Sequence, residues 1–522
     1  MKQSLISKLS IYQVGGLPAH SINEHLLTIK TVLGRLEETG QGLIFMGMDI
    51  VSFFDKEDIF DCLQTMEALD INKKATRMWF LLNKDTKIKV KTAFGMTEEA
   101  SVGDCLGQGT GGAGLVSAAN LDLGLQKSFN TSTEVMNFGH VRLQPLSYQD
   151  DVGTLCTDVP MARSQAKKLA EMIKEKTLDA HPDKSGIVIL GSKRFKEKVK
   201  DELNKEPIKF NKFYLKIKTE DKYLGQKLES DLSTSALTTV QERGGRIKGA
   251  GFEVKQIVED FEMQTLGGLA AAWELWERAL IPSLLSGAGT WLGNIDAAIK
   301  QCNAIQDFYW KTILNVSDSV PKLALRCEPF MRDCKWRIWE EKCLLLMRIQ
   351  CLEEGSLAKM IYQEAEDNGW PGLGKEVRQI CRELNIPDIN LYRIQKAELQ
   401  KALKFSHKED MMKQFQSSKK LEDIKESNFD DIQPYFNDKN IENARKKFRI
   451  RTKMLKKVPG NFKNLYKNVP NGLKCDFCED EMTQNHCISC PGRKEYRKDL
   501  DMNNLDDLVS YFKIILGEKS QR

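Results

Sequence analysis

The chain has 522 residues and a formal net charge of +5; 41% of its residues are hydrophobic and 29% are charged. This composition is ordinary for globular domains, and the length fits about two to four of them. No run of about 18 apolar residues is present, so the sequence predicts no membrane span, and its start lacks the apolar core of a secretory signal. The 13 scattered cysteines argue against a disulfide framework and favour a reducing compartment.

The first 230 residues mix helix and strand signals, and the rest is predicted to be mostly helical. In chain order the patterns predict a strand (43–48), helix (56–82), a half-buried strand (86–94), a glycine-rich loop leading into a helix near Leu115 (107–125), two short strands joined by an acidic turn (142–157), a helix (159–179), a strand (185–190) and a hairpin (212–228). Residues 233–430 then read as mainly helix, with breaks at 280–293 and 370–374. The predicted fold class is therefore α+β.

Two adjacent carboxylates, Asp150 and Asp151, stand at the predicted turn of 142–157, within the stretch SYQDDVGTL. Asp is common in turns, so an ordinary turn is one explanation. A second explanation uses Asp49, which follows the predicted strand 43–48. If the three acids meet at one sheet edge, they need cations beside them, and oxygen ligands of this kind suit Mg²⁺. Two such ions would support an in-line phosphoryl transfer.

Five segments give this site a context. They are MDIVSFFDKEDI (48–59), GQGTGGAGLVSAANLD (107–122), YQDD (148–151), HPDKSG (181–186) and KYLG (222–225). In this order they resemble motifs A to E of the reverse transcriptases of non-LTR (LINE-type) retrotransposons. The YxDD box alone is weakly specific, but the ordered set of five is a specific signal. Segments 12–33 and 281–291 also resemble that family, so the resemblance spans most of residues 10–330.

The resemblance implies the architecture of a right-hand polymerase. Its expected parts are partial fingers and palm (1–230), a thumb-like helical region (231–300), a helical connector (301–438), a basic segment (439–470) and a small Cys/His zinc-knuckle-like segment (471–522). The family implies an RNA-directed DNA polymerase that uses an RNA template, a DNA primer or target and dNTPs, with no membrane partner. It also implies action in the nucleus.

The resemblance also assigns roles residue by residue. Asp49, Asp150 and Asp151 match the aspartates that hold two Mg²⁺ ions. Lys184 matches the motif D lysine, which can offer charge or a proton near the leaving pyrophosphate.

Three further matches concern the nucleotide and the primer. Phe54 matches the aromatic residue that blocks a 2′-hydroxyl, whereas Phe53 beside it fits a core position. Gln108 and Gly109 match the turn that contacts the incoming nucleotide. Tyr223, Leu224 and Gly225 match the primer grip.

The chain departs from the family at several points. It holds no upstream RPI-type fingers motif, whose arginine grips the triphosphate, and leaves no room for an N-terminal endonuclease, so an N-terminally truncated element is expected. His181 stands where the family usually has Asn. An alternative function is therefore a catalytically inactive nucleic-acid-binding relic of such an element. An unrelated metal-dependent nuclease would fit the carboxylates but not motifs B and E.

A basic stretch lies near the chain end. Eleven Lys or Arg residues against one acid, Glu442, occupy residues 439–467, interleaved with Phe448, Phe462 and Tyr466. This pattern fits a phosphate-backbone contact surface, and it equally fits a solvated basic helix.

A Cys/His cluster follows the basic stretch. Cys475, Cys478, His486 and Cys490 have the spacing C-x2-C-x7-H-x3-C, which can close a tetrahedral Zn²⁺ site. Cys487 is a spare or an alternative ligand. The segment reads as too short and polar to hold a core of its own, so a metal would help to order it. The pattern resembles the Cys/His knuckle found downstream of the polymerase in many non-LTR elements.

Overall fold

A computed structural model describes most of the chain. The described residues are 1–101, 106, 112–260, 268–318, 320–386, 396–418, 431–452, 454–455, 474–475, 477–478, 480 and 483–515. They form a mixed α+β structure that is mostly helical, as the sequence predicted. None of the helices in the described ranges has both the length and the apolar character needed to cross a membrane.

The chain divides into two compact units. Unit 1 contains residues 1–239, 287–298 and 341–394, and unit 2 contains residues 240–286, 299–340 and 395–522.

The α-helices in chain order are α1 (Lys2–Ile6), α2 (Ile22–Glu38), α3 (Phe53–Lys56), α4 (Ile59–Ala68), α5 (Lys73–Asn83), α6 (Ala113–Phe129), α7 (Val159–Glu175), α8 (Lys193–Lys205), α9 (Leu232–Glu259), α10 (Gly268–Leu275), α11 (Ile281–Leu284), α12 (Asp296–Leu314), α13 (Lys322–Cys327), α14 (Cys334–Cys351), α15 (Leu357–Asp367), α16 (Leu373–Glu383), α17 (Lys396–Gln416), α18 (Ile441–Arg451), α19 (Gln484–Ser489) and α20 (Leu505–Ile515). A π-helical turn, Trp276–Leu280, joins α10 to α11.

The strands in chain order are β1 (Gly42–Met48), β2 (Lys87–Ile88), β3 (Lys91–Thr92), β4 (Gly95–Met96), β5 (Ala100–Ser101), β6 (Met136–Phe138), β7 (Val141–Leu143), β8 (Leu146–Tyr148), β9 (Asp151–Cys156), β10 (Gly186–Gly191), β11 (Lys209–Phe210), β12 (Phe213–Tyr214), β13 (Lys216–Lys218), β14 (Glu220–Tyr223) and β15 (Gln226–Glu229).

A five-stranded sheet forms the centre of unit 1, with strand order β13-β10-β1-β9-β8. Strand β1 pairs antiparallel with β10 on one side and with β9 on the other, and β13 pairs parallel with β10. Because β9 runs back along β1, the end of β1 and the start of β9 lie at the same edge of the sheet. This register decides which side chains meet there.

Both faces of β1 are covered, which explains its unbroken apolar sequence. Ile44, Met46 and Met48 belong to a core that also contains buried side chains of α6, α7 and α8. Phe45 points to the other face, where its ring meets Tyr223 with a centroid distance of 5.1 Å. A strand buried on both faces is a rigid support for any residue that follows it.

Two local predictions need correction. The expected helical stretch 56–82 is two helices, α4 and α5, separated by a turn in which Asp70 has a positive φ of 53°. The expected half-buried strand 86–94 is instead an exposed ribbon of short strands, β2 to β5. Its polar–apolar alternation is real, but neither face of the ribbon is covered.

An aromatic core holds unit 2 together. The rings of Trp276 and Tyr309 lie 4.8 Å apart, and Trp310 contacts Phe436 at 5.8 Å between centroids. Both tryptophans are fully buried. Such pairs contribute about 0.5–1.5 kcal/mol each beyond the area they bury, so they tie α12 to residues far away in the sequence.

The basic stretch 439–467 differs from both sequence interpretations where it is described. Arg445 is 1% exposed; it donates through Nε at 2.9 Å to the carbonyl of Ile313 and pairs with Glu259 at 2.7 Å. Arg451 binds both carboxylate oxygens of Glu328, at 2.8 and 3.1 Å.

Two other residues of the stretch are also buried in unit 2. Lys447 is buried between Asp438 and Asp506, and Phe448 is a core residue with 0% exposure. These cations are therefore structural parts of unit 2, and a phosphate cannot reach them without breaking these contacts. Residues 456–467, with Phe462 and Tyr466, lie outside the described residues.

Replacing Arg445 tests this assignment. We expect Arg445→Met to lower the melting temperature markedly, because breaking a buried ion pair from one side costs about 3–5 kcal/mol. Lys439→Met, an exposed position of the same stretch, should change stability by no more than about 0.5 kcal/mol. Thermal unfolding followed by circular dichroism measures both. Unchanged stability of Arg445→Met would contradict the structural role.

Candidate functional site

Three aspartates meet where β1 ends and β9 begins. Asp49 directly follows β1, and Asp151 is the first residue of β9. Met48 pairs with Val152, so the antiparallel register continued by one residue sets Asp49 opposite Asp151. Asp150 lies in the two-residue turn that joins β8 to β9. The sheet therefore brings Asp49 to the adjacent pair Asp150 and Asp151, which follows it in the sequence by about a hundred residues.

The turn is held from outside the hairpin. Gln149 has a positive φ of 56°, which is unfavourable for a residue with a side chain. The buried side chain of Gln13 compensates: its Oε1 accepts the N–H groups of Gln149 at 3.1 Å and of Gly15 at 2.9 Å. A Cβ at Gly15 would lie only 2.7 Å from the carbonyl carbon of Tyr148. The segment Gln13–Gly15 thus clamps the turn that carries Asp150.

Two clefts open at this edge of the sheet. A cleft of about 530 Å³ is lined by Asp49, Asp150, Phe54, His181 and Lys184, together with neighbouring residues that include Phe53 and Asp55. A smaller cleft of about 230 Å³ is lined by Asp49, Asp151, Lys184, Lys218 and Asp221, among others. Asp49 and Lys184 line both clefts, whereas Asp150 lines only the larger one and Asp151 only the smaller one.

The electrostatics of the acids are unfavourable. Burial raises the pKa of Asp151 to about 6, and the negative charges of Asp150, Asp49 and Asp221 add to the effect. Burial also raises the pKa of Asp150, helped by Asp49 and opposed by its own backbone amide and by Lys184. The Lys184 ammonium lies 3.4 Å from Asp49 Oδ2. Lys218 and Lys222 also line the smaller cleft, where Asp221 adds a fourth carboxylate and pairs with Lys218.

This donor set fits divalent metal ions. The ligands are hard carboxylate oxygens of the kind that Mg²⁺ prefers, and burial together with the neighbouring negative charges raises the pKa of Asp150 and Asp151. Within the described ranges, the three aspartates do not form a group whose ligand oxygens all lie within 4.8 Å of one another. Like charges repel, so binding a shared ion would bring these oxygens closer together.

The loop carrying Lys184 is fastened to the end of β1. The N–H of His181 donates to the carbonyl of Asp49 at 2.8 Å, and the N–H of Asp49 donates to Ser185 Oγ at 3.2 Å. His181 Nδ1 lies 3.2 Å from the N–H of Asp183. An Asn side-chain oxygen accepts the same kind of backbone N–H in similar turns. His181 can therefore replace the Asn that the resemblance leads us to expect.

Phe54 and Phe53 have different surroundings. Phe53 is 3% exposed and belongs to the core of unit 1. Phe54 is partly buried, lines the larger cleft with Asp49 and Asp150, and meets Phe53 edge-on at 5.5 Å between centroids. Both residues line the larger cleft, but Phe54 is the more exposed of the two and is therefore the ring more open to a ligand.

The residues matched to the primer grip form the hairpin β14–β15. Leu224 and Gly225 have φ values of 48° and 78° and make its two-residue turn. Tyr223 is 4% exposed, and its hydroxyl lies 3.2 Å from Nδ1 of the buried His25. Tyr223 therefore packs against the sheet, where its ring contacts Phe45 of β1. A ligand would meet the turn Leu224–Gly225 rather than the Tyr223 ring. Gln108 and Gly109, which were matched to the turn that contacts the incoming nucleotide, lie outside the described residues.

Sequence reasoning missed two parts of this site. Gln13 and Gly15 lie in the segment 12–33 that was noted only for its resemblance. Asp221, a fourth carboxylate, lines the smaller cleft and raises the pKa of Asp151. The only available signal for Asp221 was its position two residues before Tyr223.

The Cys/His cluster forms a second candidate site, in unit 2. The ligand atoms of Cys475, Cys478, His486 and Cys490 all lie within 4.8 Å of one another. The Sγ of Cys490 is 3.6 Å from that of Cys475 and 3.7 Å from that of Cys478, and His486 Nε2 is 3.1 Å from Cys478 Sγ. Tetrahedral zinc with Zn–S bonds of about 2.3 Å requires sulfur separations of this size. The group could therefore bind zinc.

Cys487 is not part of this group. It is fully buried in a small hydrophobic cluster with Ile450, Val509, Tyr511 and Phe512. Its role as an alternative ligand is therefore not supported by the geometry. The same cluster corrects the expectation that the C-terminal segment has no core, since α20 packs against α18 there.

Zinc content distinguishes the two kinds of cysteine. We expect the full chain, refolded with zinc, to hold one ion, and Cys478→Ser to lose it because a tetrahedral site needs all four ligands. Cys487→Ala should keep the ion, although it can lower stability. Native mass spectrometry gives the stoichiometry. Loss of zinc from Cys487→Ala, or a wild-type chain without zinc, would overturn the ligand set.

Comparisons with known proteins give distant matches. No protein-family model and no curated protein matches the chain. Among solved structures, the telomerase of Candida albicans in complex with a fragment of telomeric RNA is 11% identical, with a TM-score of 0.34 over 69% of this chain and 55% of that chain. The apo telomerase of Candida tropicalis is 11% identical, with a TM-score of 0.33 over 77% and 60%. This chain thus spans less than two thirds of either, and the functional argument rests on the residues of the site.

Proposed function

We propose that the chain is an RNA-directed DNA polymerase of the non-LTR retrotransposon type, which transfers nucleotides from dNTPs to a primer 3′-hydroxyl on an RNA template. The observation that carries the proposal is the convergence of Asp49, Asp150 and Asp151 at one sheet edge. That edge borders a cleft that also presents Phe54 and Lys184. In this proposal the five-stranded sheet is the palm.

The acids serve to hold charge in this reaction. Asp49, Asp150 and Asp151 would hold two Mg²⁺ ions, which when bound stabilise the attacking and leaving oxygens of an in-line transfer. The acids lie at the end of a buried strand pair, so we expect ion binding to draw the carboxylate groups together rather than to shift the backbone. A bound cation would offset the mutual repulsion of these carboxylates, which together with burial raises the pKa of Asp150 and Asp151.

The other residues orient and discriminate. The Lys184 side chain is 64% exposed and its ammonium lies 3.4 Å from Asp49, so it can lie beside a leaving pyrophosphate and offer a positive charge or a proton. The Phe54 ring, as the wall of the same cleft, would exclude a 2′-hydroxyl and thereby favour dNTPs. The turn Leu224–Gly225 would meet the primer strand.

The cysteine and histidine cluster would be the nucleic-acid-binding element of the C-terminal segment. Zinc would order residues 475–490, and the segment would contribute to holding RNA or DNA. Arg445, Lys447 and Arg451 of the preceding basic segment are engaged in internal ion pairs, so the proposal does not assign them this role.

Primer extension tests the proposal. The full chain is given a poly(rA) template, an oligo(dT) primer, dTTP and Mg²⁺. We expect extension that falls by about 10³-fold or more in Asp150→Ala/Asp151→Ala, since several kcal/mol of charge stabilisation are lost. Asp201→Ala, an exposed acid on α8, is the matched control and should extend normally.

Each other outcome has a defined meaning. Equal extension by wild type and the double variant would overturn the assignment of the acids. Primer–template binding without extension, measured by fluorescence anisotropy, would reject the polymerase and leave a nucleic-acid-binding protein. Neither extension nor binding would reject both.

A further inference from the structure

A second lysine lies directly behind Lys184 and is not accounted for by the roles above. Lys218, at the end of β13, donates from its ammonium to the backbone carbonyl of Lys184. The same ammonium contacts Asp221 Oδ1 at 3.1 Å. Both partners of this pair are largely buried, with side-chain exposures of 19% and 17%. A charge-assisted contact at this depth is screened far less than a surface pair.

The path of the Lys218 side chain is set by glycine. Strands β10 and β13 run parallel with Gly186 opposite Lys216, and a Cβ at Gly186 would lie 2.6 Å from Lys218 Cε. The aliphatic stem of Lys218 therefore needs the space above Gly186 to reach the loop. Only a residue without a side chain leaves that space open.

Asp221 has a matching constraint. A Cβ at Gly47, inside β1, would lie 2.8 Å from Asp221 Oδ2. The carboxylate thus rests against the backbone of the strand that leads to Asp49. One oxygen of Asp221 lies against β1 and the other holds Lys218, so the pair links β1 to the Lys184 loop.

We propose that Lys218 and Asp221 are positioning residues, which hold the backbone of Lys184 so that its ammonium stays at the aspartates. The proposal rests on the proposed function for its effect on catalysis, but the tether itself is a property of the fold. Lys184 is fixed at two points: its carbonyl accepts from Lys218, and its ammonium faces Asp49 at 3.4 Å. Without the first contact, Lys184 depends on the bonds that its neighbours His181 and Ser185 make to Asp49, and its side chain, which is 64% exposed, gains freedom to move away from the aspartates.

The same loop offers a matched control. Lys216 contacts Asp183 at 2.6 Å, but both side chains are exposed, at 65% and 71%. An exposed pair of this kind contributes little. Lys216→Met and Lys218→Met therefore make the same chemical change on the same strand, toward the same loop, at different depths.

Kinetics test the catalytic part of the proposal. We expect Lys218→Met to lower the maximal rate of primer extension by roughly tenfold with little change in the KM for dTTP, because orientation rather than binding is lost. Lys216→Met should stay within about twofold of wild type. Adding Lys218→Met to Lys184→Met should cause no further loss of rate, since the side chain that Lys218 positions is already absent.

Lys218→Arg, which keeps a hydrogen-bond donor, should retain most of the rate. Multiplying losses in the double variant would overturn the proposal.

Hydrogen–deuterium exchange tests the tether without any activity. We expect faster exchange of the amides of residues 181–186 in Lys218→Met and in Asp221→Asn, and wild-type exchange in Lys216→Met. Unchanged exchange in Lys218→Met would overturn the tether whether or not the chain polymerises. Faster exchange in a chain that extends no primer would keep the tether and reject the proposed function instead.

Discussion

Repulsion among Asp49, Asp150 and Asp151 is the constraint on which the site depends. The antiparallel pairing of β1 with β9 brings Asp49 opposite Asp151, and the turn of the next hairpin adds Asp150. A fold that only needed stability would not gather three partly buried acids that repel one another. The raised pKa of Asp151 is the direct consequence of burial and of these neighbours.

The surrounding structure keeps the acids in place against this repulsion. Strand β1 is buried on both faces and cannot shift without opening the core. The Gln13 side chain holds the strained turn at Gln149, and the loop before Lys184 is bonded to the backbone of Asp49. The site is therefore pre-organised by contacts that lie outside the motifs that suggested it.

The sequence could predict those parts of the site that depend on local pattern. An apolar run ending at Asp49 and an alternating stretch around Asp150 and Asp151 are sufficient to place two strands and a turn. The order of the segments then suggested that they meet. The resemblance to a polymerase family supplies the roles of these residues, and all of those roles remain proposals.

Other parts depend on long-range register, which no local pattern contains. Lys218 reaches Lys184 only because β13 pairs with β10, and Asp221 fits only because residue 47 is glycine. The basic stretch 439–467 also shows that a local pattern does not identify contact partners that are distant in the sequence. Its charge pattern is identical whether Arg451 faces a phosphate or Glu328, a residue more than a hundred positions away. A local pattern of lysines and arginines therefore cannot separate a binding surface from a buried ion-pair network.

The most direct test of the account is the melting temperature of the metal-free chain between pH 4 and pH 8, compared with Asp151→Asn. The folded-state pKa of Asp151 is raised to about 6 from its ordinary value of 3.8, so the folded chain binds the proton more tightly than the unfolded chain. Stability relative to the variant should therefore fall as pH rises through this window. Mg²⁺ at pH 7 should restore stability to the wild type and not to Asp151→Asn. A difference between the two proteins that does not change with pH, together with no response to Mg²⁺, would contradict the claim that these acids form a cation site.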